Sequence, residues 1–335
     1  MNDQFEDGIA ALIAFHSFWL IFYLSWQLSL RYGHRAFAQY TPTEKAEWCT
    51  RICSTVHASV VIPGVVLCLV RDTWNSDTIP FDSPNLCRKI FSVSIGYFGQ
   101  DLIALVKWKL NYWQAFVAHH IVGALPYVIN NFVPNCHCAN YVLALFLLVE
   151  IPTLPLNCVG VLDQIGMRKS NARYVSFIVM YALWFLARII LPIYLLVVLY
   201  EIVIPAWYSV KSRDDFAVCV VPSTVSANVI SFFCFYIFLT QLSVDLYFES
   251  SREQQKNVDL EDGVESPESN QNVSSYGALV GGPLTPNSYE EESSSDDEIY
   301  GIAQMYRKAN EESARAMRVL SSEDKQPSKK EKVDS

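Results

Sequence analysis

Residues 174–205 read YVSFIVMYALWFLARIILPIYLLVVLYEIVIP, a run whose only charged side chains are Arg188 and Glu201. A bilayer core of about 30 Å needs roughly 20 apolar residues in a helix, because backbone groups inside it must be paired within the segment. Six other segments meet this rule or come close to it, at about residues 8–28, 53–70, 90–106, 112–132, 139–162 and 222–247. The sequence therefore predicts an all-α, multi-pass transmembrane helical bundle of about seven spans. The run at 174–205 is too long for one straight crossing, so we expect a kink at Pro192 or a steep tilt.

The composition changes sharply near residue 250. The chain as a whole is 51% hydrophobic and 18% charged, which is too apolar for an ordinary soluble domain. Residues 251–335 hold 18 Asp and Glu against 10 Lys and Arg, so they carry 8 of the 9 net negative charges. Acidic runs with few aromatic residues predict a disordered acidic C-terminal tail over 248–335, with serines as candidate phosphorylation sites. The predicted organisation is an N-terminal segment with the first span (1–39), a domain of about six spans (40–247) and this tail.

Several function classes are excluded by what the sequence lacks. The membrane part has no basic stripe, so we expect no nucleic acid partner. The motifs HExxH, GxxxxGK[ST] and GxSxG are absent, and no CxxC pair has metal-binding spacing, so we expect no metal and no cofactor. The first apolar segment follows Asp3, Glu6 and Asp7 instead of a basic region, which indicates a retained helix and not a signal peptide.

The orientation in the membrane is predicted from the positive charges near the span ends, which are retained on the cytosolic side. One side receives nine: Arg31, Arg35, Lys45, Arg51, Lys107, Lys109, Arg168, Lys169 and Arg173. The other side receives five: Arg71, Arg88, Lys89, Lys211 and Arg213. This bias predicts a lumenal or extracellular N-terminus and a cytosolic C-terminus. Cys87 would then share the lumenal side with the Cys136-x-Cys138 loop, where one disulfide between loops is an alternative to free thiols.

Ionisable side chains inside the spans are functional candidates, because charge at membrane depth is costly. They are His57, Asp101, His119, His120, Glu150, Arg188 and Asp245. At 1.5 Å per helical residue, His57 and Asp101 lie about 9 Å from the cytosolic side, at a depth where they can meet. The two adjacent histidines lie about 12 to 14 Å deep, and Glu150 and Arg188 about 20 and 22 Å.

Two interpretations of this cluster stay open. One is a polar chamber open to the cytosol that holds a lipid head group or an acyl donor. The other is a structural network of paired charges, in which Glu150 and Arg188 brace the helices against each other. Because neighbouring helix residues point about 100° apart, at most one of His119 and His120 faces the centre of a chamber.

The same polar residues lie in motifs that resemble the TLC-domain family, which includes ceramide synthases and small lipid-regulating proteins. The matching stretches are EWCTRICSTVH at 47–57, GYF at 96–98 with Asp101, His119-His120, LLVE at 147–150 leading to Pro155 and Asn157, and FLAR at 185–188. Their order and spacing are similar to those of the family over about residues 40–247. This sequence departs from ceramide synthases after His119-His120, where IVGAL stands in place of their acidic signature.

The resemblance implies a membrane protein of lipid homeostasis whose partners are membrane lipids. The candidate lipid-binding residues are Arg51, His57, Asp101, His119, His120, Glu150, Asn157 and Arg188. A first alternative is a ceramide-synthase-like acyltransferase, with acyl-CoA as co-substrate and His119 or His120 as general base. A second is a ligand-sensing receptor. Whether the protein is an enzyme stays open. Whether it lies in the endoplasmic reticulum or in the plasma membrane also stays open. A homodimer and a cytosolic partner or kinase acting on the tail are further candidate partners.

Overall fold

The computed structural model of the chain describes residues 2–75, 77, 79–110, 113–210 and 213–246. These residues belong to one compact unit, Met1–Pro283, while a second unit, Leu284–Ser335, lies outside the described part of the chain. The predicted disordered tail at 248–335 also lies outside the described residues. Within the described residues every regular element is helical, which confirms the all-α prediction.

The helices follow the predicted apolar segments closely. They are α1 (Asn2–Tyr32), α2 (Arg35–Gln39), α3 (Pro42–Arg71), α4 (Asn85–Trp108), α5 (Trp113–Phe132), α6 (Asn140–Phe146), α7 (Thr153–Gln164), α8 (Asn171–Phe185), α9 (Leu191–Val198), α10 (Ile204–Val210) and α11 (Arg213–Ile237). A 3-10 turn, Leu147–Glu150, joins α6 to α7. Three π-helical segments, Leu186–Ile190, Leu199–Val203 and Phe238–Leu242, continue α8, α9 and α11.

Local sequence signals set the start of two spans. Thr41 caps α3 by accepting a hydrogen bond from the backbone N–H of Glu44, whose side chain accepts from the Thr41 N–H in return. Pro42 at the first helical position suits this start, because its missing N–H would have no helical partner there. Ser170 caps α8 in the same way by accepting from the Arg173 N–H.

Six described stretches are long and apolar enough to cross a membrane: Asp3–Tyr32, Pro42–Arg71, Asn85–Trp108, Asn140–Gln164, Asn171–Ser209 and Asp214–Leu246. Helix α5 is not among them. It has 20 residues, which is about 30 Å of helix and enough to cross, although two histidines and two asparagines interrupt its apolar run.

Contacts between helix ends show that α5 makes a seventh crossing. At its beginning, the preceding Trp108 carbonyl accepts from Thr43 near the start of α3. Just after its end, the Ala139 N–H donates to Pro80 in the loop that follows α3. Because α3 separates these two contacts by its whole length, α5 carries the chain from one face of the bundle to the other. We call the face with the loops after α3 and α5 the N-terminal face, and the other the C-terminal face.

The long sixth span is one continuous helical run from α8 through α10. Its two π-helical segments lie on either side of α9, which begins just before Pro192. We expected the departure from regular α-helix to occur at Pro192. The departure is a π-helical segment, with an extra residue per turn, immediately before the proline. Such a segment is a common way for a helix to accommodate a proline.

The N-terminal face is cross-linked by two disulfides and by buried ion pairs. The disulfides join Cys68 to Cys87 and Cys136 to Cys219. The bridge between Cys87 and the Cys136-x-Cys138 loop, which the sequence left open as an alternative to free thiols, is not formed, since Cys87 pairs with Cys68 across the connection from α3 to α4. The fully buried carboxylate of Asp7 accepts from Lys89 at 2.9 Å, and its second oxygen lies 3.2 Å from Arg88 Nε, which fixes the start of α1 on α4.

Gly96 lets α1 and α4 approach closely. A Cβ atom at this position would overlap the Ala11 carbonyl and the Phe15 backbone nitrogen, neither of which can move without moving α1. The opposite case is Gly123 on α5, where a Cβ atom would meet nothing within 4 Å.

Replacing Gly96 with alanine should therefore destabilise the bundle by about 1 to 3 kcal/mol through overpacking. The matched change Gly123→Ala should leave stability unchanged or raise it slightly, because alanine favours helix over glycine. Thermal unfolding of both variants in detergent would check this. Equal unfolding midpoints for the two would contradict the close packing of α1 on α4.

Candidate functional site

His120 and Asp101 form a buried pair between α5 and α4. His120 Nε2 lies 2.9 Å from Asp101 Oδ2, and His120 Nδ1 lies 2.7 Å from the carbonyl oxygen of Phe116 one turn earlier. A carbonyl only accepts, so Nδ1 carries a proton. Its other ring nitrogen, Nε2, faces the Asp101 carboxyl, so both nitrogens of His120 have a polar partner inside the span.

His119 points away from this pair, as expected for adjacent helix residues. Its ring packs against Phe233 of α11, with ring centroids 5.4 Å apart, and stands edge-on to His120 at 5.5 Å. Its Nδ1 is buried and has no hydrogen bond partner among the described residues. Of the two histidines, His119 is therefore the one with capacity left to bind a polar group.

His57 lies in an aromatic environment and not in a chamber. It is completely buried, stacks on Tyr97 with centroids 4.0 Å apart, and its Nε2 is 3.1 Å from the Ser94 hydroxyl. Phe98 lies between His57 and His120, with its ring 5.7 Å from each. His57 lies at a depth where it could meet Asp101 and makes these contacts with its ring, because depth alone does not fix the direction in which a helical side chain points.

Glu150 and Arg188 are joined through a third residue. Arg188 Nη2 donates to the Thr153 hydroxyl at 3.1 Å, and that hydroxyl donates to Glu150 Oε2 at 2.7 Å. Arg188 Nε also donates to the Val149 carbonyl at 2.8 Å, and its guanidinium lies over the Trp184 ring. The expected bracing role fits this relay, although these two described residues form no direct ion pair.

Arg51 and Asn157 belong to the packing of α3 on α7. Arg51 pairs with Glu47 at 2.6 Å, and its guanidinium occupies the space that a Cβ atom at Gly160 would need. The Asn157 amide donates to the Arg51 carbonyl and to the Thr55 hydroxyl. Both candidate residues thus have structural contacts of their own.

A cavity lies between α5, α6, the run from α9 to α10, and α11, and the volume within it that the centre of a water-sized sphere can reach is about 60 Å³. Its wall is mostly apolar, and the disulfide partners Cys136 and Cys219 lie at its end toward the N-terminal face. None of the eight predicted site residues lines it. We predicted a polar chamber that opens toward the cytosol. This cavity is mostly apolar and lies toward the N-terminal face.

The cavity nevertheless leads toward His119. Val122, Gly123 and Pro126 line it from α5, and they lie three, four and seven residues after His119, on the same face of the helix. On α11 the wall extends to Ile230, one turn before Phe233, which packs on His119. His119 and Phe233 therefore stand just beyond the inner end of the cavity, with the His120–Asp101 pair behind them.

Sequence reasoning missed Thr153, Ser94 and Asn130, which are polar residues inside spans. A search for every buried hydroxyl and amide in the apolar segments, and not only for ionisable groups, would have found them. No comparable signal marks the cavity, because it arises from gaps between helices.

The chain was compared with known proteins. Residues 47–251, more than half of the chain, match the family described as TLC domain. Similar proteins include TLC domain-containing protein 4 C of Dictyostelium discoideum, with 30% identity over 40% of this chain and 49% of the relative. TLC domain-containing protein 4 of Homo sapiens is 30% identical over 34% of this chain and 44% of the relative. TLC domain-containing protein 4 of Xenopus tropicalis is 29% identical over 41% of this chain and 55% of the relative. The chain spans about half the length of these relatives. No solved structure matches.

Removal of either partner of the His120–Asp101 pair should destabilise the bundle by about 3 kcal/mol, because the remaining group stays buried and unpaired. The double variant Asp101→Ala, His120→Ala should lose about 1 to 3 kcal/mol less than the sum of the single losses. The control is the double variant Asn157→Ala, His120→Ala, whose loss of stability should equal the sum of the two single losses. Unfolding midpoints of these variants would measure the coupling, and additive losses for Asp101 and His120 would contradict the pair.

Proposed function

The chain belongs to the TLC-domain family, and on that premise we propose that it is a multi-pass membrane protein of lipid homeostasis that binds a membrane lipid and so regulates lipid composition. The apolar chain of the lipid would occupy the cavity between α5 and α11. Its polar group would lie at the inner end, against His119. The observation that supports this most strongly is the alignment of an apolar cavity with the unpartnered Nδ1 of His119.

The chemistry of the wall suits an acyl chain. Gly123 leaves open space on α5, and the facing wall of α11 includes the small residues Ser226 and Ala227. An apolar ligand in such a space restores the van der Waals contacts that an empty gap lacks. At the inner end, His119 can donate to or accept from a carboxyl, amide or ester group, while Asp101 holds the neighbouring His120 in place.

Acyl transfer is the enzymatic alternative, and one observation favours it. His119 has a ring nitrogen without a partner among the described residues, and it stands beside the His120–Asp101 pair. In that mechanism His119 would take a proton from an amine or hydroxyl as that group attacks the acyl thioester. The acyl C–S bond would break, and the CoA thiolate would leave with the proton that His119 took up. Incubation of the purified protein with labelled acyl-CoA and sphingoid base decides between the two. Acylation that is lost in His119→Ala would favour the enzyme over the lipid-binding protein.

The proposed orientation puts the N-terminal face in the lumen or outside the cell, and the C-terminus in the cytosol. Two independent features support it. Nine of fourteen loop-proximal positive charges fall toward the C-terminal face. Both disulfides fall toward the N-terminal face, and disulfides persist in oxidising compartments.

A change that fills the cavity tests lipid binding. Gly123→Phe should reduce binding of a photoreactive fatty acid by about tenfold or more, because the new ring would occupy the space of the chain. Ile121→Phe is the matched control, since residue 121 is exposed on the outer surface of the same helix and adds bulk outside the cavity. Equal labelling of the two variants and of the unaltered protein would contradict binding in the cavity.

A tag at the C-terminus tests the orientation. In sealed microsomes the tag should be digested by added protease, while a tag at the N-terminus should be protected until detergent is added. The reverse pattern would refute the proposed orientation and leave the seven-crossing fold untouched.

A further inference from the structure

The cavity end nearest the N-terminal face carries two polar side chains that the proposed function does not use. Asn130 of α5 and Thr224 of α11 both line the cavity. The side-chain oxygen of each, Asn130 Oδ1 and Thr224 Oγ1, is buried without a hydrogen bond partner among the described residues. Such an atom costs about 1 to 3 kcal/mol when it stays unpaired, so two of them in one apolar wall call for an explanation.

The amide orientation of Asn130 is determined by its neighbours. Its Nδ2 faces three acceptors: the Cys138 carbonyl and Asn140 Oδ1, each at 2.8 Å, and the Cys136 carbonyl at 3.4 Å. A flipped amide would place an oxygen against three other oxygens. Oδ1 therefore stays on the side away from this loop, as an acceptor that requires a donor.

The two oxygens lie at similar depth. Helices α5 and α11 cross in opposite directions and meet at His119 and Phe233. Counted from that contact, Asn130 is eleven residues along α5 and Thr224 nine residues back along α11, which gives about 16 and 14 Å at 1.5 Å per residue. Polar groups thus lie toward both ends of the cavity: His119 stands just beyond the inner end, and Asn130 and Thr224 lie in the wall at the other. Most of the wall between them is apolar.

We propose that the cavity selects lipids that carry a hydroxyl group at the end distant from His119. The hydroxyl would donate to Asn130 Oδ1 and would pair with the Thr224 hydroxyl, which can donate or accept. This inference rests on the proposed lipid binding and names the class of ligand. Two sources share the chemistry: an acyl chain with its carboxyl at His119 and a hydroxyl at its far end, and a sterol, which would bind through this hydroxyl alone with its hydrocarbon tail toward His119. A ligand without the hydroxyl leaves both oxygens unpaired and is disfavoured for that reason.

Matched ligand pairs test the proposal with the full chain in phosphatidylcholine nanodiscs. One pair is tritiated ω-hydroxydodecanoate and dodecanoate, and the other is cholesterol and cholestane. In at least one pair the hydroxylated member should bind about fivefold more tightly, which corresponds to one net hydrogen bond of about 1 kcal/mol. The pair that shows the preference identifies the source of the hydroxyl.

Variants assign the preference to the site. Thr224→Val should abolish it, because the shape of the side chain is kept and the hydroxyl lost, whereas Thr224→Ser should retain it. Thr240→Val is the control, since Thr240 is half-buried further along the same span and its hydroxyl donates to the Tyr236 carbonyl one turn earlier. Equal unfolding midpoints would show that Thr224→Val folds normally.

The outcomes separate the two proposals. Equal binding within both pairs, or a preference that survives in Thr224→Val, would overturn the selection of hydroxylated lipids and leave lipid binding standing. Binding of no member of either pair would overturn both.

Discussion

The contact between His120 and Asp101 fixes the part of the bundle from which the function is inferred. Helix α5 carries no Asp, Glu, Lys or Arg of its own and is held on α4 by this pair, inside the span. Because neither group can lie alone at membrane depth without a large cost, the pair fixes the rotation of α5 about its axis. That rotation directs His119 toward α11 and turns Gly123 toward open space. The cavity and its inner end follow from the same constraint.

The two faces of the bundle are built differently. The N-terminal face is cross-linked covalently by Cys68–Cys87 and Cys136–Cys219, and Asn130 and Asn140 hold the loop after α5 against its neighbours. The C-terminal face is held by caps and hydrogen bonds, such as that from Tyr40 to the Gln164 carbonyl. The end of the cavity that lies beside the cross-linked N-terminal face is therefore rigid.

Much of this fold could be predicted from the sequence, because hydropathy reports length and apolar content directly. The depth estimate also placed His120 and Asp101 within a few residues of each other along the membrane normal. It failed to choose between His57 and His120 as the partner of Asp101, since depth contains no information on rotation about a helix axis. The relay through Thr153 was missed because a single hydroxyl has no sequence pattern. The cavity could not be predicted from the sequence, because it depends on how seven helices pack together and no single segment determines that packing.

The most direct test of the account is an experimental density map of the purified protein in lipid nanodiscs. The account predicts an elongated density between α5 and α11 that ends at His119, with the His120–Asp101 contact intact behind it. A map in which α5 and α11 close on each other, so that Gly123 contacts α11 and no space remains, would contradict the account.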